Sequence, residues 1–341
     1  MRRIGLLTAG GDCPGLNAVI RGVVAGAAQR HGAEVVGVLD GWDGLMEGRV
    51  RRLDRAAVRG ILQRGGTILG TSRRDPYVHG EGAASLRETL AREWIDSLVV
   101  VGGDGTLRTA LRLVEEGIPI VGVPKTIDND IAGTDVTFGF DTAVQIATEA
   151  IDRITTTAES HDRVMVVEVM GRTRGWIATY AGIAGGADAI LVPEEPYDLE
   201  VVASLLRSRA ERGLRYSVVV VAEGVDPPPG AQVAAQLDAF GFERLGGVSA
   251  VIASRLEQLT GFEARVTVLG HIQRGGTPSA ADRVLGSRLG VAAADLAASG
   301  AFGRMVALRG TEVVDVSLED ACATLREVPR AILDVAHTLS A

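Results

Sequence analysis

Seven short runs rich in β-branched residues recur along the chain: IGLLT (4–8), VVGVL (35–39), LVVV (98–101), IVGV (120–123), VMVVEV (164–169), VVVVA (218–222) and RVTVL (265–269). Each is apolar almost throughout instead of alternating, which is how a strand buried on both faces of a parallel sheet reads. Between them lie stretches of helical periodicity: GLNAVIRGVVAGAAQR (15–30), TLRTALRLVEEG (106–117) and DTAVQIATEAIDRITTTA (141–158). The second closes on Gly117 ahead of Pro119, a usual helix ending. Strand, helix, strand in repetition predicts an α/β fold with open, mostly parallel sheets and helices on both faces.

A chain of 341 residues exceeds one typical core, so two domains are expected, with a change near residue 140. Pro227, Pro228 and Pro229 make residues 224–232 a surface loop, because three prolines continue neither strand nor helix. The formal net charge of −8, with no basic run, argues against a nucleic-acid partner. Cys13 and Cys322 have neither disulfide nor metal-ligand spacing, which points to a reducing, cytoplasmic setting. The apolar part of MRRIGLLTAGGD is about five residues, too short for a signal core or a membrane span. It reads as a first strand, and no membrane partner is expected.

Ligands of open α/β sheets bind beyond the carboxyl ends of strands, which singles out four stations. The first, TAGGDCPGLNAVIRG (8–22), has glycines that admit a phosphate to backbone N–H groups near Gly11, ahead of a helix N-terminus; a tight strand-to-helix turn reads the same. In the second, LVVVGGDGT (98–106), Gly102 and Gly103 leave room for a ligand, Asp104 offers oxygen to Mg2+, and Thr106 either caps the next helix or bonds phosphate. No Lys-Ser/Thr pair closes it, so it is not a Walker A loop.

The third station, PKTIDND (124–130), holds Asp128, Asn129 and Asp130, either as Asx-turns or as a proton acceptor with an assisting carboxylate. The fourth is scattered: Arg73 in GTSRRD, Arg163, Arg172 in EVMGRTRG, and Arg265 and Arg274 in ARVTVLGHIQRGG, with His271 beside them. Each arginine alone is an ordinary solvated charge. Together they suit a substrate with several phosphate oxygens, which guanidinium groups meet bidentately.

In order, GGDCPGLN, GTSR, GGDGT, TIDND, EVMGR, AEG and GHIQRGG resemble the bacterial phosphofructokinase family over essentially the whole chain. GGDGT alone also occurs in lipid and NAD kinases; TIDND with MGR and HIQRGG separates this chain from them. The resemblance implies two Rossmann-like three-layer α/β domains, both discontinuous: 1–140 with about 273–322 for ATP and Mg2+, and 141–272 with about 323–341 for fructose 6-phosphate. Their cleft would be the active site. The implied reaction, part of glycolysis, carries the terminal phosphoryl group of ATP to the sugar's 1-hydroxyl, giving fructose 1,6-bisphosphate.

On that template Asp128 is the general base, Asp130 assists it, Asp104 is the Mg2+ carboxylate, and Thr126 and Arg172 stabilise the transferring group. Gly11, Arg73, Arg74, Gly103, Asp104, Gly105 and Thr106 match the donor site. Thr126, Ile127, Asp128, Met170, Gly171, Arg172, Glu223, His271, Ile272, Gln273 and Arg274 match the sugar-phosphate site. Arg163 and Arg265 match residues that reach in from a neighbouring subunit, implying a homodimer or homotetramer.

Two departures bear on donor and control. Pyrophosphate-using members generally carry Asp where this chain has Gly105, and Lys where it has Lys125; Gly105 with Lys125 resembles an ATP-using branch of actinobacterial type. Pyrophosphate is the alternative donor, and a catalytically silent sugar-phosphate or nucleotide sensor the alternative of another class. Thr109 replaces a glycine of regulated relatives near the ribose. Arg21 and Arg55 match the effector cluster, but Ala25, Thr155 and Leu214 stand where regulated relatives have basic residues. Losing those charges weakens an anionic effector site. The fructose 6-phosphate saturation curve is therefore expected to change little with ADP or phosphoenolpyruvate; a strongly sigmoidal curve relieved by ADP would contradict this.

Overall fold

The computed structural model describes residues 2–79, 82–231, 236–237, 243–244 and 246–340. Residue 232 of the proline loop lies outside them. In chain order the strands are β1 (Arg3–Thr8), β2 (Glu34–Val38), β3 (Val50–Leu53), β4 (Ser97–Gly102), β5 (Ile120–Thr126), β6 (Phe138–Gly139), β7 (Val164–Val169), β8 (Ala189–Leu191), β9 (Ser217–Ala222), β10 (Gln236–Leu237), β11 (Glu243–Arg244), β12 (Ala264–Val268), β13 (Arg304–Arg309) and β14 (Glu312–Ser317). All seven apolar runs became strands. The chain divides into two compact units, 1–142 with 274–326 and 143–273 with 327–341.

The first unit is built on a sheet in the order β14-β13-β5-β4-β1-β2-β3, with β6 beside β5. Its centre is parallel, and its two outer pairs, β13–β14 and β2–β3, are antiparallel. Leu7, Leu98, Val100 and Ile120 turn into one cluster with Trp42, Leu45, Leu86, Leu90, Ala110 and Leu113. The alternate residues Leu6, Val99 and Val121 are equally buried and face the helices Leu16–His31 and Ala280–Ser299, which pack on each other and on the strands. The doubly buried centre explains why these strands read as unbroken apolar runs.

Strands β3 and β14 carry charged side chains and are partly exposed, so no continuous apolar run announces them, whereas β13 has a largely buried apolar centre, MVAL, that the sequence reading passed over. Charged side chains on outer strands also discourage edge-to-edge pairing with another chain. The second unit holds a parallel sheet in the order β12-β7-β9-β8, while β10 and β11 form a separate hairpin. Helices Leu199–Glu211 and Val248–Thr260 pack together beside that sheet, as do Trp176–Ala184 and Arg330–Leu339. Among the described residues no helix is long and apolar enough to cross a membrane.

One buried carboxylate fixes the end of the first unit. Asp282, 1% exposed, accepts the Gly139 N–H at 2.8 Å, the Thr142 N–H at 2.9 Å and the Thr142 hydroxyl at 2.5 Å. Its negative charge lies at the N-terminus of the helix Phe140–His161, where the helix dipole favours it. Burial pushes its pKa up, and the Thr142 and Gly139 hydrogen bonds pull it back. Asp282→Ala leaves those buried donors unpaired and is expected to cost about 2–4 kcal/mol of stability, read as a lower urea midpoint. An unchanged midpoint would contradict the role given to Asp282.

Candidate active site

In the first unit three turns lie side by side because β1, β4 and β5 are neighbours in register, with Thr8 opposite Val101 and Gly102 opposite Pro124. The turn after β1 is pinned from below. The Gly10 N–H donates to the Ser72 carbonyl at 3.0 Å, and the Thr71 hydroxyl donates to the Gly10 carbonyl at 2.6 Å. At Gly11 a Cβ would come within 2.7 Å of Arg274 Nη1, so the glycine admits the guanidinium, which also donates to the Asp12 carbonyl at 3.2 Å. Arg274, matched to the sugar-phosphate group in the sequence, thus stands on the glycine turn of the first unit. Its Nε is buried without a hydrogen-bond partner among the described residues.

The turn after β4 opens the helix Asp104–Glu115. Thr106 is buried under Gly10 and Gly102, whereas a Cβ on Gly105 would meet nothing within 4 Å. Asp104 is half-buried, and the Arg108 Nε–H reaches both its carboxylate oxygens at 2.9 Å. The loop that supplies Arg73 and Arg74 is tied down on two sides. Arg74 donates to Asp43 at 2.5 Å, and the Thr109 hydroxyl donates to Asp75 at 2.6 Å. Tyr77, three residues past Arg74, hydrogen-bonds Glu116 at 2.6 Å and carries the Arg112 guanidinium 3.5 Å from its ring centre.

The turn after β5 is shaped by Asn129, which takes a left-handed φ of 51° and is 1% exposed. Its side-chain oxygen accepts the Thr137 N–H at 2.9 Å, and the Thr137 hydroxyl donates to the Thr126 carbonyl at 2.8 Å. Ile127 is buried, the Asp128 N–H donates to the Thr126 hydroxyl at 3.0 Å, and the Asp130 carbonyl accepts the Arg326 N–H at 2.7 Å. The central residue of DND, Asn129, is therefore scaffold, and the carboxylates flank it. Burial raises the pKa of Asp128, while Arg274, Lys125 and the Thr126 hydroxyl oppose the rise. Lys125 is itself buried, its pKa lowered mainly by that burial, and its ammonium donates to the Gly11 carbonyl.

The second unit gathers its own set at the carboxyl ends of β7, β9 and β12. The Met170 N–H donates to Gln273 Oε1 at 3.3 Å, and Gln273, fully buried, donates back to the Gly270 carbonyl at 3.1 Å. Gly171 has a φ of 143°, and a Cβ there would lie 2.6 Å from the Arg174 carbonyl oxygen. The Gly171 carbonyl accepts the Gly224 N–H at 3.1 Å, which sets Glu223 beside it. Arg172, His271 and Ile272 are exposed. Arg163 and Arg265 lie elsewhere, at the amino ends of β7 and β12, where both pair with Glu263.

A phosphofructokinase family model matches residues 3–297. The chain belongs to the phosphofructokinase family. It is 55% identical over 329 residues to a pyrophosphate–fructose 6-phosphate 1-phosphotransferase of Amycolatopsis methanolica, covering 96% of each chain. It is 53% identical over 331 residues to ATP-dependent 6-phosphofructokinase 3 of Streptomyces coelicolor, covering 96% of this chain and 97% of that one. Among solved structures, Pichia pastoris phosphofructokinase in the T-state superposes with a TM-score of 0.84 at 32% identity, over 99% of this chain and 36% of that one. Phosphofructokinase membership accounts for the two-unit α/β architecture.

Among the described residues no three His, Cys, Asp or Glu side chains cluster as a metal cage. Mg2+ is commonly held by one or two carboxylates with phosphates and water completing the shell, so the single carboxylate of Asp104 beside a glycine turn fits it. The sequence patterns passed over the supports. Glu168, buried within β7, accepts the Ser249 hydroxyl at 2.6 Å and the Gly247 and Ser249 N–H groups at 3.1 Å, and so anchors the helix Val248–Thr260. A carboxylate inside an otherwise apolar strand was the available signal. Both cysteines are free and buried; burial pushes the Cys13 thiol up to about 12 and the Cys322 thiol to about 11.

The glycines of the two units have opposite requirements. Gly105→Ala adds a helix former in open space and is expected to raise stability by about 0.5–1 kcal/mol. Gly171→Ala meets a strained φ and a backbone oxygen and is expected to cost about 1–3 kcal/mol. Thermal unfolding of the two variants checks both signs.

Proposed function

We propose that the chain is an ATP-dependent 6-phosphofructokinase, transferring the terminal phosphoryl group of ATP to the 1-hydroxyl of fructose 6-phosphate and releasing ADP and fructose 1,6-bisphosphate. The observation that carries this reading is the pairing of turns at the ends of β4 and β5: Asp104 and the open space at Gly105 on one, Asp128 on the other. Asp128 takes the hydroxyl proton as the sugar oxygen bonds to the γ-phosphorus and the bond to the bridging oxygen breaks. Thr126 and Arg172 stabilise the spreading charge, and Asp130 assists the base. Asp104 would hold Mg2+, which when bound supplies charge neutralisation to the phosphates. Gly11, Arg73, Gly103 and Thr106 receive the donor, with Arg74 bracing the loop against Asp43.

Met170, Gly171, Glu223, His271 and the Ile272–Arg274 segment orient the sugar phosphate. Arg163 and Arg265 lie roughly 10–20 Å along the strands from the carboxyl ends of β7 and β12, at about 3.3 Å per residue. That distance favours their serving a second copy of the chain, in a homodimer or homotetramer.

Pyrophosphate is the second reading for the donor, favoured by Lys125 and by the name of the Amycolatopsis relative. Relatives of closely similar identity carry names of both donors, so the choice rests on position 105. There an aspartate would repel the α-phosphate of a nucleotide, and glycine leaves room. Lys125 ties β5 to the Gly11 carbonyl, a structural use that is compatible with either donor.

Fructose 1,6-bisphosphate formation is expected with ATP as sole donor and little with pyrophosphate; activity with pyrophosphate alone would overturn the assignment. Asp128→Asn should lower kcat about 10²–10⁴-fold. Because Asp128 has a raised pKa and the active form is the carboxylate, kcat/KM should fall on the acid side at a pH above the ordinary 3.8. Removing an opposing cation with Lys125→Met should move that limb higher still.

A further inference from the structure

We propose that Arg108 is a donor-specificity residue, competing with a divalent cation for Asp104 and adding positive charge beside Gly105 for the phosphate that a nucleotide has and pyrophosphate lacks. The inference rests on the ATP reading for its second half only. Arg108 lies four residues after Asp104 and three after Gly105, so its side chain neighbours both positions on the surface of the helix Asp104–Glu115. Its Nε–H is shared between the two Asp104 oxygens at 2.9 Å each, the place a metal would approach.

The side chains of the pair are 49% and 32% exposed, which makes it a weak, solvent-screened bridge. A divalent cation arriving with its phosphates displaces such a partner readily. Displacement does not send the guanidinium away, because its stem is anchored on the same face as Gly105, where a Cβ would meet nothing within 4 Å. The planar fork then lies within reach of phosphate oxygens, which it bonds bidentately. The same side chain therefore weakens bare-metal binding and strengthens nucleotide binding.

These opposite signs are the test. Mn2+ binding to the full chain is measured by electron paramagnetic resonance without nucleotide, and steady-state kinetics are measured with MgATP and with pyrophosphate. Arg108→Gln is expected to bind Mn2+ about 2- to 5-fold more tightly, and to raise KM for MgATP about 5- to 20-fold with kcat changed less than about 3-fold. Arg108→Lys should restore both toward wild type. Unchanged Mn2+ affinity in Arg108→Gln, or an unchanged KM for MgATP, overturns the proposal. A wild-type chain that uses only pyrophosphate defeats the ATP reading and the second half with it, while the nucleotide-free Mn2+ titration still decides the competition at Asp104.

Discussion

The parallel ladder linking β1, β4 and β5 is the constraint on which the rest of the first unit depends. Thr8 pairs with Val101 and Gly102 with Pro124, so β1 and β4 end within one residue of each other and β5 runs on only to Thr126. Their following turns are brought together without any loop having to reach. A slip of one residue would turn Leu98 and Val100, both fully buried, toward the wrong layer of helices, so hydrophobic burial fixes the register. The same burial that stabilises the sheet therefore places Gly11, Asp104 and Asp128 on adjacent strand ends.

Polar groups with no solvent contact then shape what the strands deliver. Asn129 in a left-handed conformation bends the turn so that Asp128 and Asp130 flank it, and Thr137 satisfies its side-chain oxygen. Gln273 does the corresponding work in the second unit, joining Met170 to Gly270. Each is almost completely buried with its partners in place, the condition under which a buried polar group specifies a conformation at acceptable cost. Lys125 and Arg274 add charge beneath the glycine turn and oppose the rise that burial imposes on Asp128. The Asp128 carboxyl is thus poised by a balance between desolvation and two nearby cations.

The central strands were legible because they are buried on both faces, and a doubly buried strand has no choice but to be apolar. Strands β3 and β14 were not, since Arg51 and Arg52 in the one and Glu312 and Asp315 in the other break the pattern, and β13 was passed over although its centre, Met305 to Leu308, is apolar. The turns carrying Asp104 and Asp128 were visible as glycine and acid clusters after strands. Their supports were not, because the partners of Asp282 and Glu168 are distant in sequence: Asp282 meets Gly139 and Thr142, and Glu168 meets Gly247 and Ser249. Arg108 was hidden differently. Its spacing from Asp104 is that of any surface helix pair, and only the two equal contacts with the carboxylate single it out.

The positions of the donor phosphates and the metal are the most direct test of the site. A crystal structure with Mn2+ and a non-hydrolysable ATP analogue, read by anomalous scattering at the manganese edge, locates both. The expected result is a manganese peak at coordination distance from the Asp104 carboxylate, with phosphates against Gly11 and Gly103 and the α-phosphate in the space at Gly105. Manganese bound away from Asp104, or an analogue whose phosphates avoid the turn after β4, would contradict the account.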